Sequence, residues 1–350
     1  MSDVRRVLVV QTAFLGDVIL TVPLIQHVKR GLPSADVDVI LTPQAAPMLA
    51  GHPDVHEVLV FDKRGAESGL SGLFRKAKEV RSRKYDLAVV PHRSVRSALL
   101  VRLGGIGVRA GFHNSAGRFL FNRIARYEKS IHEIRRNLAL LEPLGIRSSP
   151  VEYPRLYPSP GDEHAVDGVV PGTAAPAGTR MVGMAPGTVW NTKRWLKERF
   201  VELSGKLLAS GYRVALIGGA GDVALCDEVV ATVASPNIFS TAGRLSLLQS
   251  AALIRRCAVL VCNDSAPMHL AGAVGTPVVA LFGATVPSFG FAPYGARDVV
   301  VETDGLDCRP CSIHGGEVCP IGTFDCMARI SAERVMNSLK PVLTEMAGRG

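Results

Sequence analysis

Short apolar runs alternate with longer amphipathic segments along the first hundred residues. The runs at 5–10, 37–41, 58–61 and 87–90 have the length and β-branched content of buried strands, and helical segments lie between them. Strands and helices that alternate in this way form a parallel sheet with helices on both faces. The pattern predicts a Rossmann-like domain at the start of the chain.

A second series of the same kind begins near Met181. It contains apolar runs at 182–185, 213–217 and 259–262 and continues to Leu281. Between the two series, residues 150–178 are rich in Pro, Gly, Thr and Ala and have little periodicity, which is typical of a connection between domains. The sequence predicts an α/β protein with two Rossmann-like domains at 1–160 and 181–326, a linker at 161–180 and a final helical segment at 327–350.

Ligands of open α/β sheets bind beyond the carboxyl ends of the strands, so we expect a site in a cleft between the two domains. The turn after the first strand, 11–17, lacks the G-x-G-x-x-G pattern of dinucleotide-binding domains. The run 218–221 is a weak match that suits a plain turn at a strand exit. A nicotinamide-dependent dehydrogenase is therefore disfavoured.

The segment 263–283 is the most informative part of the chain. A buried strand ends in Asn263-Asp264-Ser265, a short helix of small residues follows, and a second buried strand closes the unit. A helix start offers free N–H groups and a positive dipole end, which suit a phosphate group, and His269 lies one turn after Ser265. In the alternative interpretation, Ser265 only caps the helix and His269 is a buried structural residue.

Two further segments carry candidate chemistry. Asp17 follows the first strand, where a carboxylate caps a helix or acts as a general base towards a substrate hydroxyl. The segment 185–195 contains Gly187-Thr188, suited to phosphate contacts, and Lys193-Arg194, suited to neutralising a diphosphate leaving group. A basic surface loop anchored by Trp195 is the alternative interpretation of the latter segment.

Charge is distributed unevenly between the two halves of the chain. Residues 1–150 contain 23 Lys/Arg and 13 Asp/Glu, whereas the remaining residues contain 17 and 18. A basic half indicates an anionic partner, such as a phosphorylated substrate, a membrane surface or nucleic acid. Aromatic residues make up only 6% of the chain, which argues against a single-stranded nucleic-acid binder.

The N-terminal apolar run follows Arg5-Arg6, as in a signal peptide, but Gln11, Thr12 and Asp17 interrupt it. No apolar stretch reaches the length of a transmembrane helix, about 18 residues or more. These features favour a cytoplasmic protein.

Together, these segments resemble the ADP-heptose:lipopolysaccharide heptosyltransferases of glycosyltransferase family nine, most of all the heptosyltransferase II subfamily. They occur in the order in which the family has them and span nearly the whole chain. The matching segments are 7–17 with Pro23-Leu24, Ala185-Pro186-Gly187 with Lys193-Arg194-Trp195, and Asn263-Asp264-Ser265 with Met268-His269 and 277–283.

The resemblance implies the GT-B architecture, in which the N-terminal domain binds the acceptor and the C-terminal domain binds the nucleotide-sugar. The final segment, 327–350, would then pack back on the N-terminal domain. The implied reaction is an inverting, metal-independent transfer of L-glycero-D-manno-heptose from ADP-heptose to the heptosylated inner core of lipopolysaccharide, with no cofactor required. The partners implied are ADP-heptose, this anionic acceptor and the inner membrane through peripheral contact, without nucleic acid.

The resemblance also assigns roles to individual residues. Asp17 would deprotonate the acceptor hydroxyl, and Lys193 would offset charge on the departing diphosphate. The implied donor site consists of Gly187, Thr188, Asp264, Ser265, Ala266 and His269. The family commonly has Gly where this chain has Ala266, followed here by Pro267, which lacks one N–H donor. Candidate contacts to an anionic acceptor are Arg93, Arg96, Arg109, Arg118 and Arg123.

Four of the seven cysteines cluster at Cys308, Cys311, Cys319 and Cys326. Four thiolates could hold zinc tetrahedrally in a structural site. The gaps after Cys311 and Cys319, of seven and six residues, are irregular for a zinc ribbon, so free thiols or a redox-sensitive loop are favoured.

Three alternatives stay open at this point. The first is another family-nine transferase, of the heptosyltransferase I or III type. The second is a nucleotide-sugar epimerase of the same architecture, which would require acid/base carboxylates around the donor sugar. The third is a non-enzymatic nucleic-acid binder that uses the basic half of the chain.

Overall fold

A computed structural model describes residues 4–172 and 180–347. The chain divides into two compact units, Met1–Tyr157 and Pro158–Gly350, so the boundary lies close to the predicted one at 160. The predicted linker is only partly irregular, because Pro160–Asp167 forms a helix that starts at a Ser159 cap. Its residues 173–179 lie outside the described residues.

The first unit is built on a six-stranded parallel sheet. Its strands are β1 (Arg6–Val10), β2 (Asp36–Leu41), β3 (Glu57–Val60), β4 (Leu87–Val90), β5 (Val108–Phe112) and β6 (Arg123–Ala125). Its helices are α1 (Leu15–Gly31), α2 (Gly69–Ser82), α3 (Val95–Leu103) and α4 (Glu133–Ala139). The predicted strands are confirmed, and the spatial order β3-β2-β1-β4-β5-β6 is that of a Rossmann fold.

The second unit repeats this plan. Its strands are β7 (Met181–Ala185), β8 (Arg213–Leu216), β9 (Ile238–Ser240), β10 (Val259–Asn263), β11 (Val278–Phe282) and β12 (Val299–Glu302). Its helices are α5 (Pro160–Asp167), α6 (Lys197–Ala209), α7 (Val223–Val233), α8 (Leu247–Arg255), α9 (Ala266–Ala273), α10 (Asp325–Ala328) and α11 (Ala332–Ala347). Read from one edge, the strand order is β9-β8-β7-β10-β11-β12, which is the same as in the first sheet. The predicted pair of Rossmann-like domains is therefore confirmed.

Burial explains why these apolar runs become central strands. Residues Val7 to Val10 of β1 and Val259 to Cys262 of β10 are all inaccessible to solvent, because helices cover both faces of each sheet. In both sheets the strand order reverses between two parallel neighbours: β1 beside β4 and β7 beside β10. Loops that leave such a pair diverge, which opens a crevice for ligands.

The last helix, α11, belongs to the second unit. Its apolar stripe, with Val335, Leu339 and Leu343 buried, joins the core over the second sheet. Arg180 donates to the carbonyl of Leu343 at 3.1 Å and holds the same helix near β7. We expected this segment to pack on the N-terminal domain, whereas the apolar stripe of α11 is buried in the core of the second unit.

Candidate active site

Asp17 lies beyond the carboxyl end of β1, at the point where the strand order of the first sheet reverses. It is in the first turn of α1, and its carboxylate accepts the backbone N–H of Phe14 at 3.2 Å. The capping interpretation is therefore correct as far as it goes. Because ligands of such sheets bind at the switch point, the same carboxylate is also placed to meet a substrate.

The surroundings of Asp17 make its carboxyl a weaker acid than usual. Burial is the main cause, and the neighbouring Glu133 carboxylate adds to it, so that the pKa rises from 3.8 to about 6. The Phe14 N–H and the Arg93 guanidinium act in the opposite direction. A carboxylate whose pKa lies near the pH of the medium is a more effective proton acceptor than an ordinary Asp.

Glu133 is held beside α1 by a buried polar network. Its carboxylate accepts the Tyr127 hydroxyl at 2.9 Å and Arg136 Nη1 at 2.9 Å. Arg93 stacks over the Tyr127 ring, with its guanidinium carbon 4.2 Å from the ring centre. The sequence contains only a weak signal for this network, the i, i+3 spacing of Glu133 and Arg136.

A second polar group occupies the same edge of the first sheet. Lys63, which follows β3, donates to the Thr12 carbonyl at 2.6 Å, and the Thr12 hydroxyl lies 3.0 Å from Nδ1 of His92, which follows β4. Burial, with the nearby Lys63 and Arg93, lowers the pKa of His92 to about 4. His92 is therefore neutral near pH 7, and Lys63 supplies a positive charge at this edge. Neither Lys63 nor His92 was predicted from the sequence, although each follows a predicted strand.

In the second unit, Asp264 and Lys193 form a close ion pair. Their Oδ2 and Nζ atoms are 2.6 Å apart, and the Thr285 hydroxyl donates to the same Oδ2 at 2.7 Å. Asp264 follows β10 and Lys193 lies in a short 3₁₀ helix, Asn191–Lys193, after β7. The pair therefore stands at the switch point of the second sheet, the position that Asp17 has in the first.

Asn263 holds the loop that carries Lys193 against the end of β10. Its fully buried amide donates to the Pro186 carbonyl at 2.9 Å and accepts the Trp195 N–H at 2.9 Å. The Trp195 indole in turn donates to the Ile330 carbonyl at 2.9 Å. Both ends of the loop that carries Lys193 are thus tied to the end of β10. Asn263 belongs to the segment 263–283 that the sequence marked as informative, but the sequence did not predict that it anchors the lysine loop.

The start of α9 lies next to the ion pair. The Ser265 hydroxyl donates to the Asn263 carbonyl at 3.3 Å instead of capping the helix as the alternative interpretation supposed. Ser265 and Ala266 are half-buried, and His269 is buried on the same helix. These residues lie in one short stretch with Asp264.

Gly187 is required by a close approach of Asp222. A Cβ atom at position 187 would lie 1.9 Å from Asp222 Oδ1, whose carboxylate also accepts the Gly219 N–H at 2.8 Å. The neighbouring Thr188 is half-buried, and its carbonyl accepts Arg194 Nη2 at 2.9 Å. Arg194 therefore holds this loop in shape, which leaves Lys193 as the better candidate for a diphosphate contact.

Residues 73–317 match the family model described as Glycosyltransferase family 9 (heptosyltransferase). This match covers well over half of the chain and includes every candidate residue of the donor site, from Gly187 to His269. The chain belongs to glycosyltransferase family 9. The resemblance found in the sequence is confirmed, and the protein is a glycosyltransferase.

Curated relatives of this family 9 enzyme include heptosyltransferases of several types. The chain is 28% identical to lipopolysaccharide heptosyltransferase 2 of Escherichia coli strain K12, over 81% of this chain and 84% of the relative. It is 30% identical to lipopolysaccharide heptosyltransferase 1 of Pseudomonas aeruginosa, over 87% and 86%. Among solved structures, E. coli ADP-heptose lps heptosyltransferase II has a TM-score of 0.80 and 25% identity, covering 97% of this chain and 99% of that one.

A cysteine-containing loop follows β12 in this family 9 enzyme. Its four cysteines are free thiols; burial and the neighbouring thiols raise the pKa of Cys311 and Cys326, and backbone N–H groups lower the pKa of Cys319. In the described parts of the chain, three or more potential ligand atoms lie within 4.8 Å of one another only at the Asp38, His56 and Glu57 group.

The cysteine loop contacts the segment that carries Lys193. The Thr192 N–H donates to the Gly316 carbonyl at 2.9 Å, and the Gly316 N–H donates to the Thr192 hydroxyl at 2.8 Å. Gly315 has a φ of +88°, which favours glycine, and a Cβ there would lie 2.9 Å from the Lys193 side chain. The loop therefore positions the lysine, a role that the cysteine spacing did not suggest.

Arg309 fastens the same loop to the end of the second sheet. Its guanidinium donates to the carbonyls of Gly283 and Thr303, each at 2.6 Å, and of Thr285 at 2.8 Å. The Thr285 hydroxyl donates to Asp264, so Arg309 supports the Asp264 side of the ion pair through Thr285. Neither Thr285 nor Arg309 was predicted from the sequence; the signal for Thr285 was its place just after a buried strand.

The structure separates the five arginines proposed to contact an acceptor. Arg96 donates to the carbonyls of Glu67 and Gly69, and Arg109 donates to the carbonyl of Leu120, so both hold loops of the family 9 enzyme together. Arg93, Arg118 and Arg123 are exposed. No helix in the described residues has the length and apolar content needed to span a membrane.

Proposed function

We propose that this enzyme is a heptosyltransferase II, which transfers L-glycero-D-manno-heptose from ADP-heptose to the heptosylated inner core of lipopolysaccharide at the cytoplasmic face of the membrane. The observation that carries the proposal is Asp17, a carboxylate with a pKa of about 6 at the switch point of the first sheet. The named relatives are heptosyltransferases that align with this chain over most of their length. They support the donor and acceptor classes.

The first unit binds the acceptor in this proposal. The Asp17 carboxylate accepts the proton of the acceptor hydroxyl as the oxygen attacks the anomeric carbon of the donor. Attack from the face opposite the diphosphate inverts the configuration at that carbon, and the bond to the diphosphate oxygen breaks. Arg93 supplies positive charge beside Asp17, and Lys63 supplies it beside His92 at the same edge of the sheet, which suits a phosphorylated acceptor.

The second unit binds ADP-heptose. Lys193 offsets the charge that develops on the diphosphate as it leaves, and Asp264 with Thr285 fixes the direction of its side chain. The donor site also includes Gly187, Thr188, Ser265, Ala266 and His269. Because the lysine supplies the positive charge at the leaving group, the transfer requires no divalent cation, and we expect activity to survive EDTA.

Support for the type II acceptor comes from the likeness to both a type 2 relative and the heptosyltransferase II structure. The type 1 relative has 30% sequence identity to this chain, close to the 28% of the type 2 relative, so the acceptor is tested directly. The test measures ADP release from ADP-heptose with lipopolysaccharide cores that carry no heptose, one heptose or two. We expect release with the core that carries one heptose. Release with only one of the other two cores would assign the type I or type III reaction instead.

A matched pair of variants completes the test. Asp17→Asn removes the proposed base, and Asp36→Asn changes an exposed carboxylate of the same unit. General base catalysis contributes about 10²- to 10⁴-fold, so ADP release should fall by that factor only in the first variant. Conversion of a nucleotide-sugar without any acceptor would favour the epimerase.

A further inference from the structure

Three loops at the carboxyl edge of the first sheet expose large apolar side chains. Leu70 begins α2 after β3, Val95 begins α3 after β4, and Phe119 lies in a short helical turn, Arg118–Leu120, after β5. Their exposed fractions are 71%, 43% and 77%. Exposed apolar residues are ordinary when scattered, but a group of them on one edge marks a surface that is covered in use.

Contacts between these loops make the group continuous. Arg96 of α3 donates to the Gly69 carbonyl at 2.8 Å, which ties the start of α3 to the residue before Leu70. A Cβ at Gly117 would lie 3.3 Å from the Val95 Cα, so the turn that carries Phe119 lies against the start of α3. The three apolar side chains therefore belong to adjoining loops.

Helix α2 extends this surface. Its core side buries Leu73, Ala77 and Val80, whereas Leu70 and Phe74, one turn apart, face outward, with Phe74 57% exposed. A helix that carries apolar residues on its outward face has a second environment besides the core of its own domain. We call the group Leu70, Phe74, Val95 and Phe119 the apolar rim.

Exposed basic residues lie within the same segments. Arg64, Arg75 and Arg118 are exposed, and each lies in or next to a loop or helix of the apolar rim. The nearby carboxylates are engaged within the protein: Asp62 accepts the N–H groups of Gly65 and Ala66 at 2.9 Å each, and Glu67 pairs with Lys76 at 3.2 Å. Exposed positive charge therefore borders the apolar rim, while these carboxylates are turned to partners within the protein.

We propose that the apolar rim and its arginines form the surface by which the enzyme lies on an anionic lipid bilayer. Apolar side chains would enter the headgroup region while the arginines contact lipid phosphates, the combination expected of a peripheral membrane protein. Asp17 stands at the same edge of this sheet, so binding there brings the base towards a hydroxyl of a membrane-anchored glycolipid. This last step rests on the proposed function; the surface itself does not.

The test is flotation of the full chain with vesicles of phosphatidylcholine alone or with added phosphatidylglycerol, in the absence of donor and acceptor. We expect binding to the anionic vesicles that weakens with salt. The variant L70S/F74S/F119S should lose binding by about tenfold or more, and R64S/R75S/R118S by about fivefold for each charge. Val318→Ser removes an equally exposed apolar side chain from the second unit and should leave binding unchanged.

Equal binding to neutral and anionic vesicles, or binding that L70S/F74S/F119S does not weaken, would overturn the proposal. A change in the sedimentation coefficient of that variant without any change in vesicle binding would instead make the rim a contact between copies of this chain. ADP release with a core acceptor that lacks its lipid is measured in parallel. Loss of vesicle binding with normal release separates a failure of this surface from a failure of the proposed function.

Discussion

Replacing Asp17 by Asn should stabilise the first unit while it abolishes most of the activity. The pKa of Asp17 is raised from 3.8 to about 6, so the ionised carboxylate is less favourable in the folded chain than in the unfolded one. The shift corresponds to ~3 kcal/mol at about 1.4 kcal/mol for each pKa unit. Asn keeps an oxygen that accepts the Phe14 N–H and carries no charge, so this cost disappears.

The sign of the effect depends on pH. Below the unfolded pKa of 3.8 the carboxyl is protonated in both states, and the variant has no advantage. The destabilisation of the native chain grows as the pH rises and is complete above about 6. The variant should therefore gain up to ~3 kcal/mol near pH 8 and under ~1 kcal/mol near pH 4.

The two units allow a clean measurement. Both tryptophans, Trp190 and Trp195, lie in the second unit, so their fluorescence during urea unfolding reports that unit and serves as the control. Hydrogen exchange of peptides from α1 reports the first unit. Slower exchange in the variant near pH 8, with an unchanged tryptophan transition, is the expected result. Equal or faster exchange near pH 8 would refute the idea that Asp17 is held as a carboxylate at a cost in stability.

Four further outcomes follow from the same contacts. The native rate at subsaturating substrate should fall as the pH drops through about 6, because the base becomes protonated; a limb near pH 4 would exclude Asp17. Lys193→Gln should lower kcat by about 10²-fold or more, whereas Lys206→Gln, from a surface pair of 2.8 Å, should not. Thr285→Val should raise the donor KM, since Asp264 loses a hydrogen bond of 2.7 Å; an unchanged KM would remove Thr285 from the donor site. Asn263→Ala should destabilise the second unit by ~2–4 kcal/mol, which an unchanged tryptophan transition would contradict.

The fold could be predicted well because its strands are buried on both faces. Such strands, like β1 and β10, are continuous apolar runs, which stand out from the amphipathic helices between them. The final helix shows the limit of this reasoning. Its apolar stripe predicted burial, but the stripe does not encode which domain covers it, and α11 packs in the second unit.

The candidate site was predicted only in part, because its remaining members come from distant segments. Asp17 and Asp264 directly follow strands that the sequence revealed, and such positions are where parallel sheets bind ligands. Glu133 and Arg309 reach the site across long sequence separations; only the i, i+3 spacing of Glu133 and Arg136 gives a weak local signal, and Arg309 has none. The cysteine spacing also directed attention to metal binding, whereas the glycines between the cysteines contact the lysine segment.

Each sheet has an aspartate at its switch point, Asp17 after β1 and Asp264 after β10, and the two have opposite surroundings. Asp264 meets Lys193 and the Thr285 hydroxyl within 2.7 Å, so its negative charge is matched and its direction is fixed. Asp17 meets a backbone N–H, a buried environment and a second carboxylate, which favour uptake of a proton. The proposed mechanism uses both arrangements: one carboxylate takes a proton from the acceptor, and the other holds a cation for the leaving diphosphate. Because the strand order of the two units is the same, their different roles come from the side chains around each switch point and not from the fold.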